Sequence, residues 1–101
     1  MEIQFNKIKY ETSSGINFYG SINIKGHTKN VECSVTYEFL QDINNGSIQH
    51  IETFESNLWT IEQIADDKLN ALLPIDLEND LIKIKILSAD RKLYNLWIWG
   101  K

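Results

Sequence analysis

Glu62 is the residue whose surroundings most invite chemistry. With Glu55, Trp59 and Asp66 it makes a series at four- and three-residue spacings, so a helix through this stretch gathers three carboxylates and an indole along one flank. Clustered carboxylates raise one another's pKa and can act as acid or base. No histidine or nucleophile has a sequence reason to join them, so the plainer reading is a solvated helix flank with Trp59 packed over a sheet edge. His27 and His50 stand alone, one in a turn and one in the first turn of a helix, and neither has ligand spacing. Asp76, Glu78 and Asp80 alternate like part of a calcium loop, but a loop counted from Asp76 meets Leu81 and Leu87 where glycine and glutamate are required. An acidic connector is expected there. Gly15, Gly20, Gly26 and Gly46 stand singly and none opens a helix with phosphate-loop spacing. Cys33, the single cysteine, alternates with polar neighbours in Val31-Glu32-Cys33-Ser34-Val35 and reads as a small hydrophobe on a strand's inner face. No catalytic residue, cofactor or metal ligand is assigned, and a protein that is not an enzyme is expected.

A second set of residues points to binding. Tyr19, Lys25, Lys83 and Lys85 belong to the polar parity of strand-like segments, and Trp97 and Trp99 join them if Tyr94, Leu96 and Ile98 face inward. Lysines interleaved with aromatics on a sheet are how single-stranded nucleic acid is stacked and neutralised. With only one Arg and no RNA-binding signature, the preferred reading is that the tryptophans fill a protein interface, such as a homodimer, or lie under the N-terminal strand.

The elements that must position these residues follow from periodicity. Ile3 and Phe5 share one parity while Ile8 and Tyr10 share the other, which predicts a bulge near Asn6-Lys7 or a change of burial side. After the turn Thr12–Gly15, alternation from Ile16 to Lys25 predicts a strand with one buried face. Gly26–Asn30 is then a hairpin connection to the strand Val31–Val35. Thr36 caps a short helix, Tyr37–Ile43, with Glu38 in its first turn and Asn44-Asn45-Gly46 ending it. Ser47 caps the next. From Ile48 the apolar positions Ile51, Phe54, Leu58, Ile61, Ala65, Leu69 and Leu72 predict one long amphipathic helix, with Glu52, Thr53, Thr60, Gln63, Asp67 and Asn70 opposite and Pro74 beyond its end. Leu81–Leu87 and Lys92–Trp99, joined by a turn at Ser88–Arg91, predict a final hairpin. The order βββ-α-α-ββ implies a single α+β domain over residues 1–101, a largely antiparallel five-stranded sheet with the long helix across one face.

Composition restricts what such a domain can do. The chain has 101 residues, 43% hydrophobic and 24% charged, with 14 acids against 10 bases. That balance disfavours a protein whose whole surface is built for duplex DNA. The charge is segregated: residues 1–30 hold four Lys and two acids, residues 31–80 one Lys and eleven acids, and residues 81–101 five bases and one acid. A two-sided molecule is predicted, with an acidic helical layer between more basic strands. There is no basic start followed by an apolar run, and no apolar stretch approaches the roughly 18–20 residues that span a bilayer, so a cytoplasmic protein without membrane contact is expected.

Three segments resemble a small bacterial family, the domain of unknown function 1488. They are Ile16-Asn17-Phe18, then Cys33-Ser34-Val35-Thr36-Tyr37-Glu38-Phe39-Leu40, then Phe54 with Trp59, Ile61, Glu62 and Ala65. The resemblance covers residues 16–71 and implies an α+β fold with no assigned reaction, cofactor or partner. The final hairpin has no counterpart in it. The expected function is a protein-binding or self-associating module that uses one of two unlike surfaces, the acidic flank at Glu55, Trp59, Glu62 and Asp66 or the sheet face at Tyr19, Lys83, Lys85, Trp97 and Trp99. The alternatives are single-stranded nucleic acid binding on the sheet face and an acidic inhibitor or immunity protein that neutralises a basic partner.

Overall fold

Alternating β-branched and aromatic residues draw the first third of the chain into three strands, β1 (Gln4–Glu11), β2 (Gly15–Ile24) and β3 (His27–Thr36). The computed structural model describes residues 2–43, 49–71 and 81–90. Three helices, α1 (Tyr37–Ile43), α2 (His50–Ser56) and α3 (Leu58–Ala71), and a further strand, β4 (Leu81–Ile86), complete the α+β architecture. The strands lie in the order β1-β2-β3-β4. β1/β2 and β2/β3 are antiparallel and β3/β4 is parallel.

One face of this sheet is the core. Strand registers align Ile16 with Val35 and Ile86, Phe18 with Cys33 and Ile84, and Gly20 with Val31 and Ile82, and all of these are buried. Phe39, Leu40 and Ile43 from α1, Phe54 from α2, and Ile61, Ile64, Ala65 and Leu69 from α3 cover them. Each large side chain so covered contributes about 1.5–3 kcal/mol. Gly20 is required by close approach, because a Cβ there would lie 2.6 Å from Ile3 Cγ2 and 2.7 Å from the Gln4 carbonyl oxygen.

Local signals are realised closely. Thr36 Oγ1 accepts the Phe39 N–H at 3.1 Å and starts α1 where the cap is expected. Thr12 and Gly15 close the β1–β2 turn, the Thr12 N–H donating to the Gly15 carbonyl at 2.8 Å. The β2–β3 connection is shorter than expected. Lys25 and Gly26 alone form it, with φ of 50° and 84°, and pairing resumes at His27. Positive φ at both central residues is the two-residue hairpin geometry that matches strand twist.

Two larger expectations are corrected. The described sheet has four strands and is mixed, because the chain leaves β3, passes through the helices and re-enters beside β3 in the same direction. Lys92–Trp99, expected as a fifth strand, lies outside the described residues. The long helix is two helices broken at Asn57, whose φ is −116° and whose Nδ2 donates to the Thr53 carbonyl at 2.8 Å. Asparagine competes in this way for helix backbone groups. The break changes which sides of α2 and α3 are covered. Thr53, expected outside, is buried with its hydroxyl donating to the Gln49 carbonyl at 2.8 Å, while Leu58, expected inside, is 37% exposed. Gln49 occupies the N-cap position of α2 without a side-chain capping bond. Asn44–Gly46, Ser47, Ile48, Leu72, Pro74 and the acids Asp76, Glu78 and Asp80 lie outside the described residues.

The turn after β4 is pinned to α3. Asp90 is buried, accepts the Leu87 N–H at 2.7 Å and pairs with Lys68 Nζ at 2.6 Å. No helix among the described residues is long and apolar enough to cross a membrane.

Candidate functional site

The parity break in β1 is a bulge that opens a groove. Phe5 faces Gly20 and Lys9 faces Phe18, so Asn6, Lys7 and Ile8 together stand against Tyr19 alone. The Asn6 carboxamide oxygen accepts the Ile8 N–H at 2.9 Å and satisfies one group that the ladder releases. The slip of two residues keeps Lys9 on the parity of the covered face, so Ile8 and Tyr10, on the other parity, change burial side and are 51% and 60% exposed. Between this bulge and the α2–α3 break lies a cavity of about 540 Å³, larger than the depressions of about 250 and 200 Å³ elsewhere on the described surface.

Aromatic rings build its floor. Phe5 stacks on Phe18 at 5.9 Å between centroids, and Phe18 meets Phe54 edge-on at 5.4 Å. Ile8 and Leu58 also line the groove, one from each wall. The strand wall carries Lys7 and Lys9, and the helix wall carries Glu55 and Glu62. Lys9 Nζ pairs with Glu55 Oε1 and lies 5.8 Å from the centre of the Phe54 ring. This contact ties the edge strand to α2 over an apolar floor.

The carboxylate series of the sequence is thereby divided. Glu55 and Glu62 line the groove, while Asp66 accepts the Ile3 N–H at 2.8 Å and holds the start of β1 against α3. Trp59 does not pack over the sheet edge: it is 73% exposed, on the turn of α3 next to Leu58. Burial, then the charge of Asp66, push the Glu62 carboxyl above its ordinary value. Burial also raises Asp66, opposed by the Ile3 hydrogen bond and assisted by Glu2 and Asp67. Cys33 sits fully buried beneath α3, and burial followed by the charges of Asp66, Glu32 and Glu62 pushes its thiol up to about 12. It remains a thiol at neutral pH and supplies no nucleophile. Among the described residues no group of three or more His, Cys, Asp or Glu is placed to hold a metal ion. The groove sets an apolar floor between a basic and an acidic wall.

Of the second predicted set, Lys25 falls in the β2–β3 turn, whereas Tyr19, Lys83 and Lys85 lie on the other side of the sheet. Tyr19 meets Tyr10 edge-on at 5.8 Å there, and Lys83 and Lys85 are exposed on β4. Tyr19, Glu32 and Lys83 are register neighbours, which sets a carboxylate between the ring and the first lysine. Trp97 and Trp99 lie outside the described residues. His50 is not a plain surface residue: its ring stacks on Tyr37 at 4.2 Å and joins α2 to α1.

Phe5, Lys7, Ile8, Lys9, Phe18, Phe54 and Leu58 are site residues that sequence reasoning missed. The one usable signal was the parity break at Asn6-Lys7, since bulges concentrate at sheet edges and beside functional sites.

Of the positions quoted for the family resemblance, Phe18, Cys33, Val35, Phe39, Leu40, Phe54, Ile61 and Ala65 are buried and Trp59 is exposed. No protein-family model, curated protein or solved structure matches the chain.

Proposed function

We propose that the protein is a non-enzymatic, cytoplasmic protein-binding module that receives its partner in the groove between the β1 bulge and the α2–α3 break. The observation that carries this reading is the groove itself, where half-buried Phe5 lies beside the buried rings of Phe18 and Phe54 at a sheet edge, with Ile8 and Leu58 exposed on its two walls. Interfaces are enriched in such aromatic centres with a polar rim. The helical layer supports the related reading of an acidic inhibitor, since Glu38, Asp42, Glu52, Glu62, Asp66 and Asp67 face few bases there and Lys68 is already paired. Negative charge on that side steers a basic partner toward the groove.

Single-stranded nucleic acid binding on the open face is the second reading, favoured by the exposed Lys83 and Lys85 and the Tyr10–Tyr19 pair. Glu32 in the same row weighs against it, because it repels the phosphates that the lysines would attract.

A photoreactive side chain placed at Ile8 or Leu58, and separately at Asn17 or Lys85, tests these readings in cells. Discrete protein adducts from positions 8 and 58 alone are expected. Adducts from 17 and 85 alone would move the interface to the open face and refute the groove.

A further inference from the structure

Which partner fits the groove depends on the charges left unsatisfied in it. Lys9 and Glu55 neutralise each other across its mouth. Glu62 is half-buried on the helix wall and has neither a hydrogen bond nor an ion pair among the described residues. Its charged neighbour one turn along α3 is Asp66, which adds to its negative charge rather than relieving it. Lys7, exposed in the bulge, marks the opposite wall as the basic one. An apolar ligand alone would bury the Glu62 carboxylate further and uncompensated, which is costly, whereas a ligand cation beside it restores a partner.

Resting on the groove as the docking site, we infer that its ligand is a segment of a protein partner in which a large apolar side chain is flanked by lysine or arginine. The apolar side chain occupies the space over Phe5, Phe18 and Phe54, and the base pairs with Glu62 on the helix wall. Lys7 orients the segment, since it disfavours the reverse placement with the base against β1.

The test measures affinities of the full chain for four labelled peptides in one Gly/Ser frame, carrying Phe-Arg, Phe-Gln, Phe-Glu or Ala-Arg. The Phe-Arg peptide is expected to bind about fivefold tighter than Phe-Gln, a charge-assisted hydrogen bond discounted for solvent. Phe-Glu and Ala-Arg are expected to bind most weakly. Glu62→Gln is expected to erase the difference between Phe-Arg and Phe-Gln. Equal binding of Phe-Arg and Phe-Gln to the native chain, or an Arg preference that survives Glu62→Gln, overturns this inference and leaves the groove as an apolar docking site. Binding of Phe-containing peptides that Leu58→Asp does not weaken, or binding of none of them, overturns the groove reading as well.

Discussion

β2 and β3 pair residue for residue from Gly15 opposite Thr36 to Ile24 opposite His27, whereas β1 slips by two residues within its own length. The contrast carries through to packing. On the regular pair the inner side chains Ile16, Ile22, Val31, Cys33 and Val35 are buried away from the groove, and Phe18, also buried, meets it only at its floor. On β1 the same face presents Phe5 and Lys9 to a groove, and Ile8 turns to solvent. Unbroken register lets one layer of helices close over a sheet, and lost register at the edge leaves apolar surface that the described residues do not cover. Core and candidate site are thus two outcomes of one variable, continuity of pairing.

The strongest way to break the comparison is to damage the sealed half. Phe39 is fully buried where α1 meets the sheet, and Phe39→Ala is expected to cost about 3–5 kcal/mol in denaturant unfolding. Asp90→Ala comes next, at about 2–3 kcal/mol, because it strands the Lys68 ammonium and the Leu87 N–H in a part-buried turn. The groove half is expected to lose less stability. Leu58→Asp, on a side chain 37% exposed, is expected to cost about 1–2 kcal/mol, well under Phe39→Ala, while removing Phe-peptide binding. A loss of stability comparable to that of Phe39→Ala would mean that Leu58 belongs to the core and that the two halves are not distinct.

The smallest effect is a pH dependence at Glu62. Burial and Asp66 raise its pKa in the folded chain above the ordinary 4.5, so the folded state holds this proton more tightly than the unfolded state. Its contribution to stability is present below the ordinary value and is lost as pH rises through the raised one. Glu62→Gln is therefore expected to unfold at a higher denaturant midpoint relative to the native chain as pH increases through this window, with the difference vanishing at lower pH. A Glu62→Gln chain that unfolds at a lower midpoint than the native chain at the higher pH would show that Glu62 is stabilised as an anion by a partner in the fold.

What could be read from the sequence divides along the same line as the structure. Thr36 and the limits of α1 were legible because a cap and the helix that it starts are neighbours in the chain. The bulge near Asn6-Lys7 was legible because alternation fails within a few residues. The break at Asn57 was hidden, since Phe54, Leu58 and Ile61 keep helical spacing across it and only the covering of Thr53 reveals the change. The parallel pairing of β4 with β3 was hidden for a different reason: the Ile/Lys alternation of Leu81–Ile86 specifies a buried face and says nothing of strand direction. Of the site, Glu55 and Glu62 were found through their spacing on one chain segment. Lys9 was not, because its pairing with Glu55 spans 46 residues, nor was Phe5, whose contact with Phe18 crosses the β1–β2 turn; neither leaves a local pattern.

The central claim is that the register break makes the binding site. Backbone amide shifts of the isotope-labelled full chain, recorded while the Phe-Arg peptide is added, test it most directly. The account predicts that the changes concentrate at Asn6–Lys9 and at Phe54–Leu58 and leave Asn17, Ser34 and Lys85 on the open face unmoved. Changes confined to the open face, or none at Asn6–Lys9, would contradict it.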